Sequence, residues 1–97
     1  MNKEYILKKL QENLSQIRSF GINHIGLFGS ALRDEMSHTS DLDFVIEFKQ
    51  GEKTFDNFME TKFLLEDIFD RNVDLVIRDN IKEELKESIL KDVVYAA

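Results

Sequence analysis

The chain has 97 residues, a formal net charge of −6 from 13 basic and 19 acidic side chains, 42% hydrophobic residues, and neither Cys nor Pro. Without cysteine there is no disulfide framework, thiolate zinc site or cysteine nucleophile, and an intracellular chain is the default reading. The basic residues are scattered among acids rather than clustered, which argues against nucleic acid as the main partner.

The length suits one small domain, residues 1–97, and eight Phe and two Tyr supply material for a real core. Met1-Asn2-Lys3-Glu4-Tyr5 mixes acid with base and leads into an amphipathic pattern. Neither a signal peptide nor a membrane span is indicated, so a cytoplasmic protein is expected. Ile6, Leu7, Leu10, Leu14, Ile17 and Phe20 recur at helical spacing, predicting one helix over residues 3–20 that Gly21 stops. Ile22 to Phe28, apolar and bounded by glycines, reads as a strand running into a Gly29-Ser30 turn. Ala31 to Met36 then reads as a short helix.

From Asp41 to Phe48 the pattern alternates. Leu42, Phe44, Ile46 and Phe48 point to one side of a strand, Asp41, Asp43, Val45 and Glu47 to the other. Phe55, Phe58, Met59, Phe63, Leu65, Ile68 and Phe69 form an apolar stripe on a helix that ends near Asp70 and covers the sheet. Val73 to Ile77 is a third alternating strand, with Asp74 on its polar side. Asn80-Ile81-Lys82-Glu83 resembles a capping box, and Ile81, Leu85, Ile89 and Val93 carry a last helix almost to the C-terminus. The expected fold is α/β (α+β): a small mixed sheet of about three strands flanked by helices, in the order α-β-α-β-α-β-α.

Two acids spaced i, i+2 in an otherwise apolar strand require a chemical reason. Two residues along a strand rise about 6.6 Å and return to the same face. Asp41 and Asp43 therefore reach toward two cations roughly 3.5–4 Å apart, with Asp74 from a neighbouring strand as third ligand. A pair of Mg²⁺ ions holding a nucleoside triphosphate satisfies this, because hard cations take carboxylate oxygens and share their coordination with phosphates. Gly29 lets the backbone approach a phosphate, and Ser30 stands at the N-terminus of the short helix, where free N–H groups favour an anion.

Gly29-Ser30-x-x-Arg33 followed by Ser40-Asp41-x-Asp43-x-x-Ile46 resembles the nucleotidyltransferase motif of the DNA polymerase beta superfamily. In its small size the chain is similar to the minimal nucleotidyltransferases, the MNT or MntA-type antitoxins. Val73-Asp74-Leu75-Val76 resembles the third acidic strand of that family, and residues 81–90 its closing helix. The resemblance implies that Gly29 and Ser30 bind the phosphates and that Asp41, Asp43 and Asp74 bind Mg²⁺ and carry catalysis. It implies an Mg²⁺-dependent adenylyltransferase moving AMP from ATP to a hydroxyl, with Asp74 or Asp43 helping to remove the proton. The implied acceptor is a tyrosine of a cognate HEPN/HepT-type ribonuclease toxin, in a hetero-oligomer, so that the transferase acts as its antitoxin. The alternatives are an antitoxin that neutralises by binding alone, and a stand-alone transferase acting on RNA or a small molecule. The loop departs from the family pattern, because Leu32-Arg33-Asp34 stands where Ala-Arg-Gly is common. Arg33 is read equally as a phosphate contact or a structural ion-pair donor.

Other readings are weaker. Asp41-x-Asp43 does not open a calcium loop, since Phe44, Val45 and Ile46 fill positions that need oxygen ligands and a glycine. His24 and His38 lack partnered ligand spacing. Phe55, Phe58, Phe63 and Phe69 are read as core, with a partner-facing patch formed by some of them as the alternative.

Overall fold

Asn2 opens the first helix, its Oδ1 accepting from the Tyr5 amide at 2.9 Å. The computed structural model describes residues 2–29 and 41–97. The expected helix over 3–20 is present as two pieces, α1 (Lys3–Glu12) and α2 (Leu14–Ser19). The break is chemical: the Asn13 side-chain amide donates to the Lys9 carbonyl at 2.9 Å, offering the backbone a partner outside the helical ladder. Gly21 ends α2 at φ +81°, a conformation that costs glycine no Cβ clash.

Three strands follow the expected patterns: β1 (Ile22–Phe28), β2 (Leu42–Phe48) and β3 (Val73–Ile77). Between the last two lies α3 (Phe55–Phe69), as the apolar stripe predicts. It starts where Thr54 Oγ1 accepts from the Asn57 amide at 3.1 Å and stops at Asp70, which adopts a left-handed conformation with φ 51°. Thr54→Ala is expected to lower unfolding free energy by about 1 kcal/mol, read as a shifted denaturation midpoint with unchanged slope.

After a single 3-10 turn (Arg78–Asn80) comes α4 (Glu83–Leu90), and here the expectation of a helix reaching almost to the C-terminus is corrected. The chain leaves the helix and adds β4 (Val94–Tyr95), so the sheet has four strands, ordered β3-β2-β1-β4, rather than about three. The i, i+4 series Ile81, Leu85, Ile89, Val93 is helical in period, but Val94 and Tyr95 pair with Leu27 and Gly26 of β1. A two-residue strand has no periodicity of its own, and tertiary pairing decides its conformation. Gly26 takes part in this, because Val93 Cγ1 lies 2.6 Å from where a Cβ would stand. The capping box is likewise not formed. Asn80 sits in the 3-10 turn accepting from Lys53 Nζ at 2.7 Å, and Lys82 precedes α4 without a side-chain cap.

β1 pairs antiparallel with β2 and β2 pairs parallel with β3. One sheet face carries Ile25, Leu27, Leu42, Phe44, Ile46, Val73 and Leu75, all buried against Ile6, Leu10, Ile17, Leu65 and Phe69 from α1, α2 and α3. Phe44 stacks on Phe69 with ring centroids 5.7 Å apart. Of the four phenylalanines expected in the core, Phe69 is buried and Phe58 half-buried, whereas Phe55 and Phe63 are 77% and 56% exposed. The apolar stripe is wider than the strip of helix that the sheet covers. Among the described residues no helix is long and apolar enough to cross a membrane.

Candidate active site

Strand alternation puts the acids on the sheet face opposite α1, α2 and α3. The parallel register places Asp43 directly beside Asp74, and the antiparallel register places Phe28 on the other side of Asp43. Adjacent strands run about 4.8 Å apart, so these two carboxylates are close neighbours at one end of the sheet. Asp41, two residues earlier and exposed, lies just outside the strand on the same side. The sequence supplied the alternation of each strand; the pairing that brings Asp74 to Asp43 is a product of the fold.

Electrostatics reports the same convergence. Burial raises Asp43 above the ordinary carboxylate value, and the negative charges of Asp74 and then Asp41 push it further in the same direction. A half-buried carboxylate with two acidic neighbours, and no cation among the described residues named as acting on it, is poised to accept one.

Gly29 has a role that the sequence reading did not contain. It follows β1 at φ +81°, and a Cβ there would overlap Asp43 Oδ2 and lie 3.0 Å from the Asp43 carboxyl carbon. The missing side chain is the space in which the carboxylate sits. The turn and the acid are therefore one unit: β1 ends and β2 begins at the same place, and glycine is needed for both backbone conformation and side-chain fit. Ser30, Arg33 and Asp34, together with the short helix expected at Ala31 to Met36, lie outside the described residues.

The donor set of three carboxylates suits a hard divalent cation. Among the described residues no group of three or more His, Cys, Asp or Glu side chains, these three included, is placed to hold a metal ion by itself. This is compatible with Mg²⁺, which is usually held by one or two carboxylates plus substrate phosphates rather than by an all-protein cage. Beside Gly29 opens a cavity of about 570 Å³ whose lining includes Lys3 and Asp92. Neither residue was singled out from the sequence, where Lys3 looks like a solvated helix-start charge and Asp92 like one acid among many.

A family model described as a nucleotidyltransferase domain matches residues 6–96. The chain belongs to this nucleotidyltransferase family. Protein adenylyltransferase MntA of Thermococcus cleftensis is 34% identical over 76 residues, which cover 78% of this chain and 76% of that protein. Among solved structures, one assigned as a minimal nucleotidyltransferase superposes with a TM-score of 0.83 at 28% identity, covering 97% of this chain and 95% of the other. A chain from the complex of a tri-AMPylated Shewanella oneidensis HEPN toxin with MNT antitoxin superposes with a TM-score of 0.65 at 17% identity, covering 94% of this chain and 71% of that one. At that identity the likeness concerns the fold alone. The nucleotidyltransferase assignment agrees with the site: a glycine turn and strand-borne carboxylates at one end of a small mixed sheet.

Proposed function

We propose that this nucleotidyltransferase is a protein adenylyltransferase that moves AMP from ATP onto a hydroxyl of a partner protein, a tyrosine of a HEPN/HepT-type toxin, and thereby silences it. The observation that carries the site is the register Asp43 beside Asp74, with Gly29 packed on the Asp43 carboxylate. The partner and the transferred group are inferred from the relatives: one is named a protein adenylyltransferase, and the fold is shared with the antitoxin complex of an AMPylated HEPN toxin.

In this reading Asp41, Asp43 and Asp74 would hold Mg²⁺, which when bound supplies charge neutralisation of the triphosphate and a lowered pKa for the acceptor hydroxyl. The chain's own residues do the rest. The Gly29 backbone, with Ser30 and Arg33, receives the β- and γ-phosphates and fixes the α-phosphorus over the carboxylates. The acceptor oxygen attacks that phosphorus, a new P–O bond forms, the bond to the α,β-bridging oxygen breaks, and pyrophosphate leaves. Asp74 takes the hydroxyl proton, because it stands on β3, at the outer side of Asp43, and is exposed to an arriving partner. The reaction belongs to the cytoplasm, where ATP and a toxin are both at hand.

The test is transfer of label. Incubation with α-labelled ATP, Mg²⁺ and a HEPN/HepT-type toxin from the same organism is expected to label the toxin, and Tyr→Phe at the modified position to abolish labelling. Neutralisation of the toxin without any transferred label, and undiminished in Asp41→Ala and Asp43→Ala, would mean an antitoxin that works by binding alone. Label appearing on RNA or a small molecule instead would assign a different acceptor.

A further inference from the structure

The four strands arrange the site in a line. Asp74 on β3 and Asp43 on β2 lie on one side of Gly29, at the end of β1; β4 lies on the other. On that second side, between the end of β1, the last turn of α4 and the start of β4, is the cavity of about 570 Å³. This is within the range of roughly 300–1,000 Å³ typical of small-molecule sites. Its walls are of two kinds. Phe28, Ile89 and Val94 offer apolar surface, while Ser88 and Asp92 bring hydrogen-bonding groups and Lys3 a cation.

We infer that this cavity receives the ribose and base of the donor nucleotide, making the α4–β4 junction the part of the chain that selects the nucleotide. The inference rests on the donor reading above and extends it. The reacting end of the substrate belongs beside the carboxylates, and an acceptor activated by Asp74 approaches from the β3 side. What fills the space across Gly29 must be joined to the phosphates and must not itself react, which describes the nucleoside. A purely anionic occupant would be repelled by Asp92, whereas ribose hydroxyls and base N–H groups donate to a carboxylate. A flat base finds an aromatic and two branched aliphatic walls. The late departure from helix at Leu90 matters here. Had the helix continued through Val93, as its period suggests, the cavity's Val94 wall would not lie against β1.

Calorimetric titration of the full chain with Mg·ATP and with Mg·tripolyphosphate tests this, in wild type and in Ser88→Trp and Asp92→Ala. Ser88 and Asp92 are both exposed, so neither substitution disturbs the core. The expected result is ATP binding weakened at least about tenfold by Ser88→Trp, which fills the cavity, with tripolyphosphate affinity unchanged. Asp92→Ala is expected to weaken ATP alone in the same sense. Wild-type ATP affinity in both variants would overturn the inference, and slower labelling of the acceptor on that background would give the cavity to the acceptor instead. Equal loss of ATP and tripolyphosphate would also overturn it, since the cavity would then serve the phosphates. A wild-type chain that binds neither ligand would remove the donor reading itself, an outcome separate from the other three.

Discussion

Asp43→Asn is expected to reduce AMP transfer at least about a hundredfold while making the unliganded protein more stable at neutral pH. The two effects share one cause. Asp43 is raised above its ordinary value of 3.8 first by burial and then by Asp74 and Asp41, so its ionised form is disfavoured in the folded chain relative to the unfolded one. The folded state therefore binds more protons than the unfolded state between the unfolded and folded pKa values, and stability falls as pH rises through that window. Above the folded pKa the full cost is present, and below the ordinary carboxylate value it vanishes. The stabilisation by Asn is expected at pH 7, to shrink as pH falls through the raised pKa, and to be gone below about the unfolded value. Thermal unfolding of both proteins across pH, beside label transfer at neutral pH, checks the pair of expectations. A less stable Asn variant at pH 7 would show that Asp43 makes compensating contacts that its acidic surroundings do not suggest.

Gly29→Ala is expected to lower transfer by at least about tenfold and unfolding free energy by about 1–2 kcal/mol. Two costs combine at this residue. The backbone has φ +81°, which a Cβ disfavours, and the Cβ would occupy the place of the Asp43 carboxylate. Gly51 separates them, because it has φ +82° with nothing within 4 Å of a would-be Cβ. Gly51→Ala carries the backbone cost alone and is expected to lose about 1 kcal/mol of stability with transfer intact. Gly29→Asn gives the complementary case: asparagine is tolerated in the left-handed region, so stability recovers in part, yet its Cβ still displaces the carboxylate and transfer stays low. Label-transfer rates and denaturation midpoints for the three variants resolve turn geometry from carboxylate placement. Equal transfer in Gly29→Ala and Gly51→Ala would mean that the carboxylate position is not what glycine protects.

Much of this protein is legible in one dimension. An apolar run bounded by glycines placed β1 at Ile22–Phe28, period-2 alternation placed β3 at Val73–Ile77, and the apolar stripe placed α3 at Phe55–Phe69. Acids in an apolar strand marked Asp41, Asp43 and Asp74, since an ionisable group on such a strand needs a partner and so stands out from its surroundings. Local rules work there because each depends only on neighbours along the chain.

What the tertiary structure alone decided depends on residues far apart in sequence. The exception is local: Asn13 splits a helix of unbroken apolar period through its bond to Lys9, four residues back. Val94 and Tyr95 become a strand because β1 has an open edge, with Gly26 leaving room for Val93 and Tyr95. Phe55 and Phe63 stay exposed because the sheet is narrower than the stripe of α3. Above all, the register that sets Asp74 beside Asp43, and the fit of the Asp43 carboxylate onto Gly29, join three segments that no periodicity relates. Periodicity tells which face a side chain takes; only strand pairing and packing tell which other side chain it meets there.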